Sequence, residues 1–328
     1  MKKVTKIVTS LLIVTILFTI FYSCKKNHEE TLQKNLKVDR ASIAKEIALH
    51  SRGLTDVINS FKKSQPFMKF AGLPPVTTPP VTVSPVVEEA YTDAENTIHT
   101  FLVNNNLIDY SSTVNLYLDK PNQPSISTIS LQTNNFTYSS QFYIIGQDII
   151  NVDGDNLTVI TQNINSILSS NNFLSLSEME QVILIVGAET YLDSFGHWST
   201  NDDWKQILAS ANKINNKSSI NKIAGSAGGS WGPSKWRTYA KADAIGGVGG
   251  AIAGALGGAA VGAIFTGGLG AGPGALQGAV RGGVTGAVGA SIGKALFELF
   301  PNEVVFKPLL VEEQILINGV IAPKVWDL

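Results

Sequence analysis

Histidines and carboxylates close together in the chain are the first candidates for chemistry. His197 stands between Asp193 and the pair Asp202 and Asp203. A histidine beside carboxylates could be half of an acid–base site. No H-E-x-x-H and no Walker loop accompanies it, so a helix-end histidine with ordinary hydrogen bonds is the simpler reading. Asp153-Gly154-Asp155 sets two carboxylates across a glycine. A calcium loop would need further oxygen ligands and a late glutamate. None follows at the right place, and a turn is expected. Gly270-Ala271-Gly272 is not a dinucleotide turn, because no strand precedes it and no acidic residue follows at the needed distance. The four histidines (His28, His50, His99, His197) are scattered, and Cys24 is the only cysteine. That excludes an internal disulfide framework and a cysteine zinc site. No catalytic residue, metal or cofactor is expected.

Composition narrows the classes further. Of 328 residues, 44% are apolar and only 16% charged, with a formal net charge of -1. A sizeable core is available. A basic nucleic-acid surface and a highly charged disordered chain are both excluded.

The elements that must position these residues read as helices. Ile43, Ile47, Leu54, Val57, Ile58 and Phe61 recur at steps of three and four between Leu36 and Lys63, an apolar stripe that Gly53 is expected to interrupt. Six prolines from Pro66 to Pro85 describe an extended spacer or a surface strap. Thr92 and Glu95 form a capping-box pattern ahead of Ile98, Phe101, Leu102 and Leu107. Leu157 to Leu168 carries another helical pattern, and Ser177 with Glu180 gives a second capping box, leading into a helix toward Trp198. Trp204 to Ile214 is a further short helix. Trp231 and Trp236, with Lys235 and Arg237, are either a membrane-interface belt or core aromatics; Trp231, Trp236 and Arg237 are the interface candidates.

The stretch 244–293 is the most unusual. Its 50 residues hold 19 of the chain's 30 glycines and one charge, Arg281. Gly246, Gly250, Gly254, Gly258 and Gly262 fall every fourth residue. After a glycine-rich break with Pro273, so do Gly274, Gly278, Gly282 and Gly286, continued by Ala290. Steps of four keep a row on one side of a helix, and small-xxx-small rows let helices approach closely. A helical hairpin with matched smooth faces is expected, with self-association through the same ladders as a further possibility. Its arms, of about 33 Å and 30 Å, match a bilayer core in length. The second arm, carrying Arg281, is too polar to insert alone. Near the end, Asn318-Gly319 between β-branched residues predicts a small β-hairpin.

The start of the chain is an address. Lys2, Lys3 and Lys6 precede an apolar run from Ile7 to Phe21, then Ser23-Cys24, as in a secretory signal. The ending resembles the lipobox of bacterial lipoproteins. That resemblance implies a cysteine acylated with palmitate-like chains at Cys24, which becomes the mature N-terminus and binds membrane lipid. The alternative is an uncleaved anchor of marginal length. No aspartate follows Cys24, and Lys25-Lys26-Asn27-His28-Glu29-Glu30 resembles the export tags of surface-displayed lipoproteins. Together these imply the outer membrane of a Gram-negative bacterium. The run from Ala244 to Ala263 resembles the glycine-zipper region of double-glycine class II bacteriocins, which implies membrane activity.

The organisation expected is therefore a mainly α protein. It divides into signal peptide 1–23, lipidated tether and amphipathic helix 24–64, Pro-rich linker 65–87, helical domain 88–222, glycine-zipper hairpin 223–300 and β-hairpin 301–328. The function expected is a non-enzymatic envelope lipoprotein whose hairpin packs into or enters a membrane, with a bacteriocin-like toxin as one form of that reading. The alternative is a structural or binding lipoprotein whose glycines serve packing alone. No nucleic-acid partner is expected, and no protein partner is named.

Overall fold

A computed structural model describes residues 39–64, 85–110, 138–217, 231–266 and 271–300, with two short strands at 316–317 and 320–321. The signal segment, Cys24, the tether and most of the Pro-rich linker lie outside these residues. The described chain is mainly helical.

The first helix, α1 (Arg40–Ser64), buries Ile43, Ile47, His50, Gly53, Leu54, Val57, Ile58 and Phe61 on one stripe. Gly53 does not interrupt it. A Cβ there would lie 3.1 Å from Val288 and 3.2 Å from Phe101, so the glycine is a contact point. The next helix, α2 (Pro85–Asn104), begins ahead of the expected Thr92 cap. Proline suits a first helical position. Thr92 sits inside the helix and turns its hydroxyl back to Glu88 O at 2.9 Å, the usual fate of a mid-helix threonine. The helix ends at Asn104, and Asn106 just beyond it takes a φ of 55°, which asparagine tolerates. Leu107 N–H donates to Leu102 O and Asn106 N–H to Val103 O, a Schellman closure. A 3-10 turn, Ile108–Tyr110, follows.

Four capped helices come next. They are α3 (Ser140–Ile150), α4 (Leu157–Leu168), α5 (Asn171–Leu174) and α6 (Glu178–Thr200). Ser139, Asn156, Ser170 and Ser177 each accept a backbone N–H at an N-terminus, worth about 1 kcal/mol apiece. The Ser177–Glu180 capping box is complete. Glu180 also accepts from Ser139 N–H at 2.6 Å, which ties the start of α3 to that of α6. Burial alone would raise the Glu180 pKa, but the Ser139 and Ser177 hydrogen bonds win and lower it.

Every residue from Val182 to Tyr191 on α6 is buried. A helix apolar all round belongs at the centre, and α6 packs against α1, α3, α4 and the two glycine-rich helices. Those are α8 (Pro233–Thr266) and α9 (Ala271–Leu299). Between α6 and α8 lies α7 (Asp202–Lys217). The first glycine-rich helix starts well before the expected Ala244. One core cluster runs from Ile43 to Phe300. The strands β1 (Leu316–Ile317) and β2 (Val320–Ile321) pair antiparallel, Leu316 opposite Ile321.

Candidate functional site

The glycines of α8 and α9 face each other in one antiparallel register. Gly246 faces Gly286, Gly250 faces Gly282, Gly254 faces Gly278 and Gly258 faces Gly274. In each pair a Cβ on the α8 member would lie under 3.0 Å from the carbonyl oxygen of its partner. No real side chain occupies such space. The α-hydrogen in that place points at the facing carbonyl, the arrangement of a Cα–H···O contact, about 0.5–1 kcal/mol each. Such contacts, with close backbone packing, offset the roughly 0.8–1.0 kcal/mol by which each helical glycine trails alanine. Gly262 lies in α8, but its surroundings are outside the described contacts.

A second set of small residues seats α6 on the pair. A Cβ on Gly187 would meet Val248 at 2.6 Å, and one on Gly247 would meet Thr190 Oγ1 at 2.8 Å. Gly283 lies against Val186. By contrast, Gly257 and Gly272 have nothing within 4 Å.

A charged cluster crosses the interface between α6, α1 and the pair. His50 is fully buried, with Nδ1 2.9 Å from Asp193 Oδ2 and Nε2 3.5 Å from Asp243 Oδ2. Ser51 donates to Asp193 at 2.6 Å. Ser194 and Trp198 Nε1 donate to Asp243 Oδ2, while Asp243 Oδ1 has no partner among the described residues. Burial alone would lower the His50 pKa. The Asp193 and Asp243 carboxylates overcome it and hold the imidazole up at about 9. The same pairing lowers Asp193 against its own burial. The imidazolium thus joins α1 to α6 and α8.

Ser291 Oγ lies 3.4 Å from His50 Nε2, so Ser291, His50 and Asp193 stand in the order of a hydrolase triad. The chemistry does not follow from the order. A histidine charged at neutral pH has no lone pair to take the serine proton, and both Ser291 and His50 are fully buried. As arranged, the cluster is a clasp between helices.

The residues singled out from sequence fall as follows. Trp231 packs on Trp198 and Tyr239, and Trp236 packs edge-on against Phe195. Both are partly buried against the core. Arg237 bonds the Asp153 carboxylate and Gly154 O, which holds the Asp153-Gly154-Asp155 turn. Among the described residues no cluster of His, Cys, Asp and Glu could hold a metal. His197 is paired with Asn201 at the end of α6. Arg281 lines an open cleft of about 320 Å³ with Asp39, Glu46 and Glu178. A second network joins α7, α8 and α9: Trp204 Nε1 donates to Tyr239 Oη at 2.8 Å, and Tyr239 donates to Glu298 at 2.6 Å beside Lys235.

Sequence reasoning misses His50, Asp243 and Ser291. Two of them leave a signal. His50 falls three residues after Ile47 and four before Leu54, on the apolar stripe. Asp243 is the last charge before a long uncharged run within one helix. A polar residue on a buried face needs a partner. The reading of motifs also leaves out Gly228-Gly229-Ser230-Trp231-Gly232, which has the spacing G-x-S-x-G. A nucleophile elbow needs a strand before the serine. Among the described residues the element before it is the helix α7, and residues 218–230, Ser230 included, lie outside them.

Comparison with known families, curated proteins and solved structures finds no match.

Proposed function

We propose that the chain is a non-enzymatic envelope lipoprotein of structural or binding type. Acyl chains on Cys24 hold it to the outer membrane of a Gram-negative bacterium. α8 and α9 act as the two arms of a glycine-zipper helical hairpin, the spine on which the helical body packs, with a small β-hairpin after it. The observation that carries the packing half is the register, in which the glycine faces are occupied by each other from Gly246–Gly286 to Gly258–Gly274. Among the described residues no helix is long and apolar enough to cross a membrane. The address rests on Lys2, Lys3, Lys6, the run to Phe21 and the Ser23-Cys24 junction. Two or more acyl chains anchor a protein stably where one does not.

A second reading, membrane entry by the hairpin in the manner of a bacteriocin, has one observation in its favour. Among the described residues the end of the pair near Gly257 and Gly272 is open, with Leu256 and Leu276 only partly covered. Two experiments decide. Fatty-acid labelling should mark the wild type and spare Cys24→Ala; label retained in that variant would overturn the address. Dye-loaded liposomes should stay intact with the purified chain across pH and lipid composition. Release abolished by Gly254→Leu would replace the packing reading with the membrane one.

A further inference from the structure

The direction of one side-chain amide settles the charge of a histidine. Trp204 N–H donates to Asn201 Oδ1 at 2.9 Å, and a backbone N–H has no other role. The remaining amide atom, Nδ2, is therefore the NH2 group, and it lies 3.0 Å from His197 Nε2. Nε2 must accept, so His197 is neutral with its proton on Nδ1. His50, whose charge acts on His197, is in the opposite state, because both its nitrogens face carboxylates. His197 is partly buried and feels the His50 charge, and two imidazoles that close cannot both be charged cheaply.

We propose that His197 is an acid-sensing latch at the corner between α6 and α7: a proton taken up at Nε2 removes the acceptor that holds Asn201, and with it the N-terminal cap of α7. Turning the amide over does not rescue the cap. Oδ1 would then face the protonated Nε2, and Nδ2 would face Trp204 N–H. The consequence reaches the core, since Trp204 is fully buried against Phe61 and Trp198.

The charged groups around the latch act in both directions. His50 on α1 opposes a second positive charge, while Asp193 on α6 and Asp243 on α8 favour it. Asp202 and Asp203 begin α7, and Asp203 is paired with Lys62 of α1 at 2.8 Å. Burial comes first and the His50 charge second, and together they hold the closed His197 down at about 4. A released corner returns it toward 6.5. Acidification between these values favours the open corner, because only the open form takes the proton readily.

The test follows hydrogen exchange of the full-length chain in detergent from pH 7.5 to 4, with intrinsic rates corrected, in wild type and His197→Gln. The glutamine can accept from Asn201 and does not titrate. The wild type should lose protection over 202–217 by at least about tenfold at pH 4.5 relative to pH 7, with α8 and α9 still protected. The glutamine variant should show no such loss. An unchanged pH profile in the variant, or no loss in the wild type, overturns the proposal. Should the variant fail to fold, histidine NMR of the wild type decides: a His197 midpoint near 4 supports the latch, and one near 6.5 overturns it.

Discussion

At the residue scale, His50 is a fully buried imidazole held between two carboxylates. Its replacement by glutamine leaves Asp243 buried without a counter-charge. Breaking a buried pair in this way costs about 3–5 kcal/mol, and a loss of that size is expected in urea unfolding of His50→Gln at pH 7. The pH dependence has a definite sign. The folded pKa of His50 is raised from 6.5 to about 9. Its stabilisation is therefore complete below about 6.5 and is lost as pH rises through about 9. The unfolding midpoint of the wild type should fall across that window, and His50→Gln should be flat there. Trp231, Trp236 and Arg237 illustrate a different point at the same scale. Aromatic-basic composition is compatible with a membrane belt and with a core rim alike. What composition cannot give is the partner, and Phe195, Trp198 and the Asp153 turn supply it.

At the element scale, what the sequence made legible was periodic and what it hid was short or ambiguous. The α1 stripe and the Ser177–Glu180 box could be read because a helical face and a cap each leave several residues in fixed spacing. The start of α2 could not, because Thr92 and Glu95 have cap spacing yet sit inside the helix. α3 is short and lies in a run rich in Ser, Asn and Gln, and its apolar residues Phe142 to Ile145 stand side by side, the exposed Ile144 among them, which blurs the helical stripe. The two threonine and serine positions give an opposed pair of expectations. Ser177→Ala removes a real cap and should cost about 1 kcal/mol. Thr92→Ala removes only a back-bond to Glu88 and should be neutral or slightly stabilising, since alanine is the better helix former. Chemical unfolding of both variants checks the assignment of each position.

At the scale of the whole molecule, α8 and α9 are the surface on which α6 and α1 close, and one core cluster spans all four helices. The every-fourth glycine spacing was visible from the sequence. The use of Gly187, Gly247 and Gly283 to seat α6 was not, because those glycines stand outside the ladders and only the third dimension joins them. The cost of a methyl group therefore depends on which side of α8 it points to. The most direct measurement compares the urea unfolding of Gly254→Ala with that of Gly257→Ala, followed through the tryptophans of the core. The first methyl would meet the backbone of Gly278, and overpacking of that kind should cost about 3 kcal/mol or more of the stability of the whole body. The second meets open space and should stabilise by up to about 1 kcal/mol. Equal effects, or a Gly254→Ala protein as stable as the wild type, would contradict the packed glycine faces.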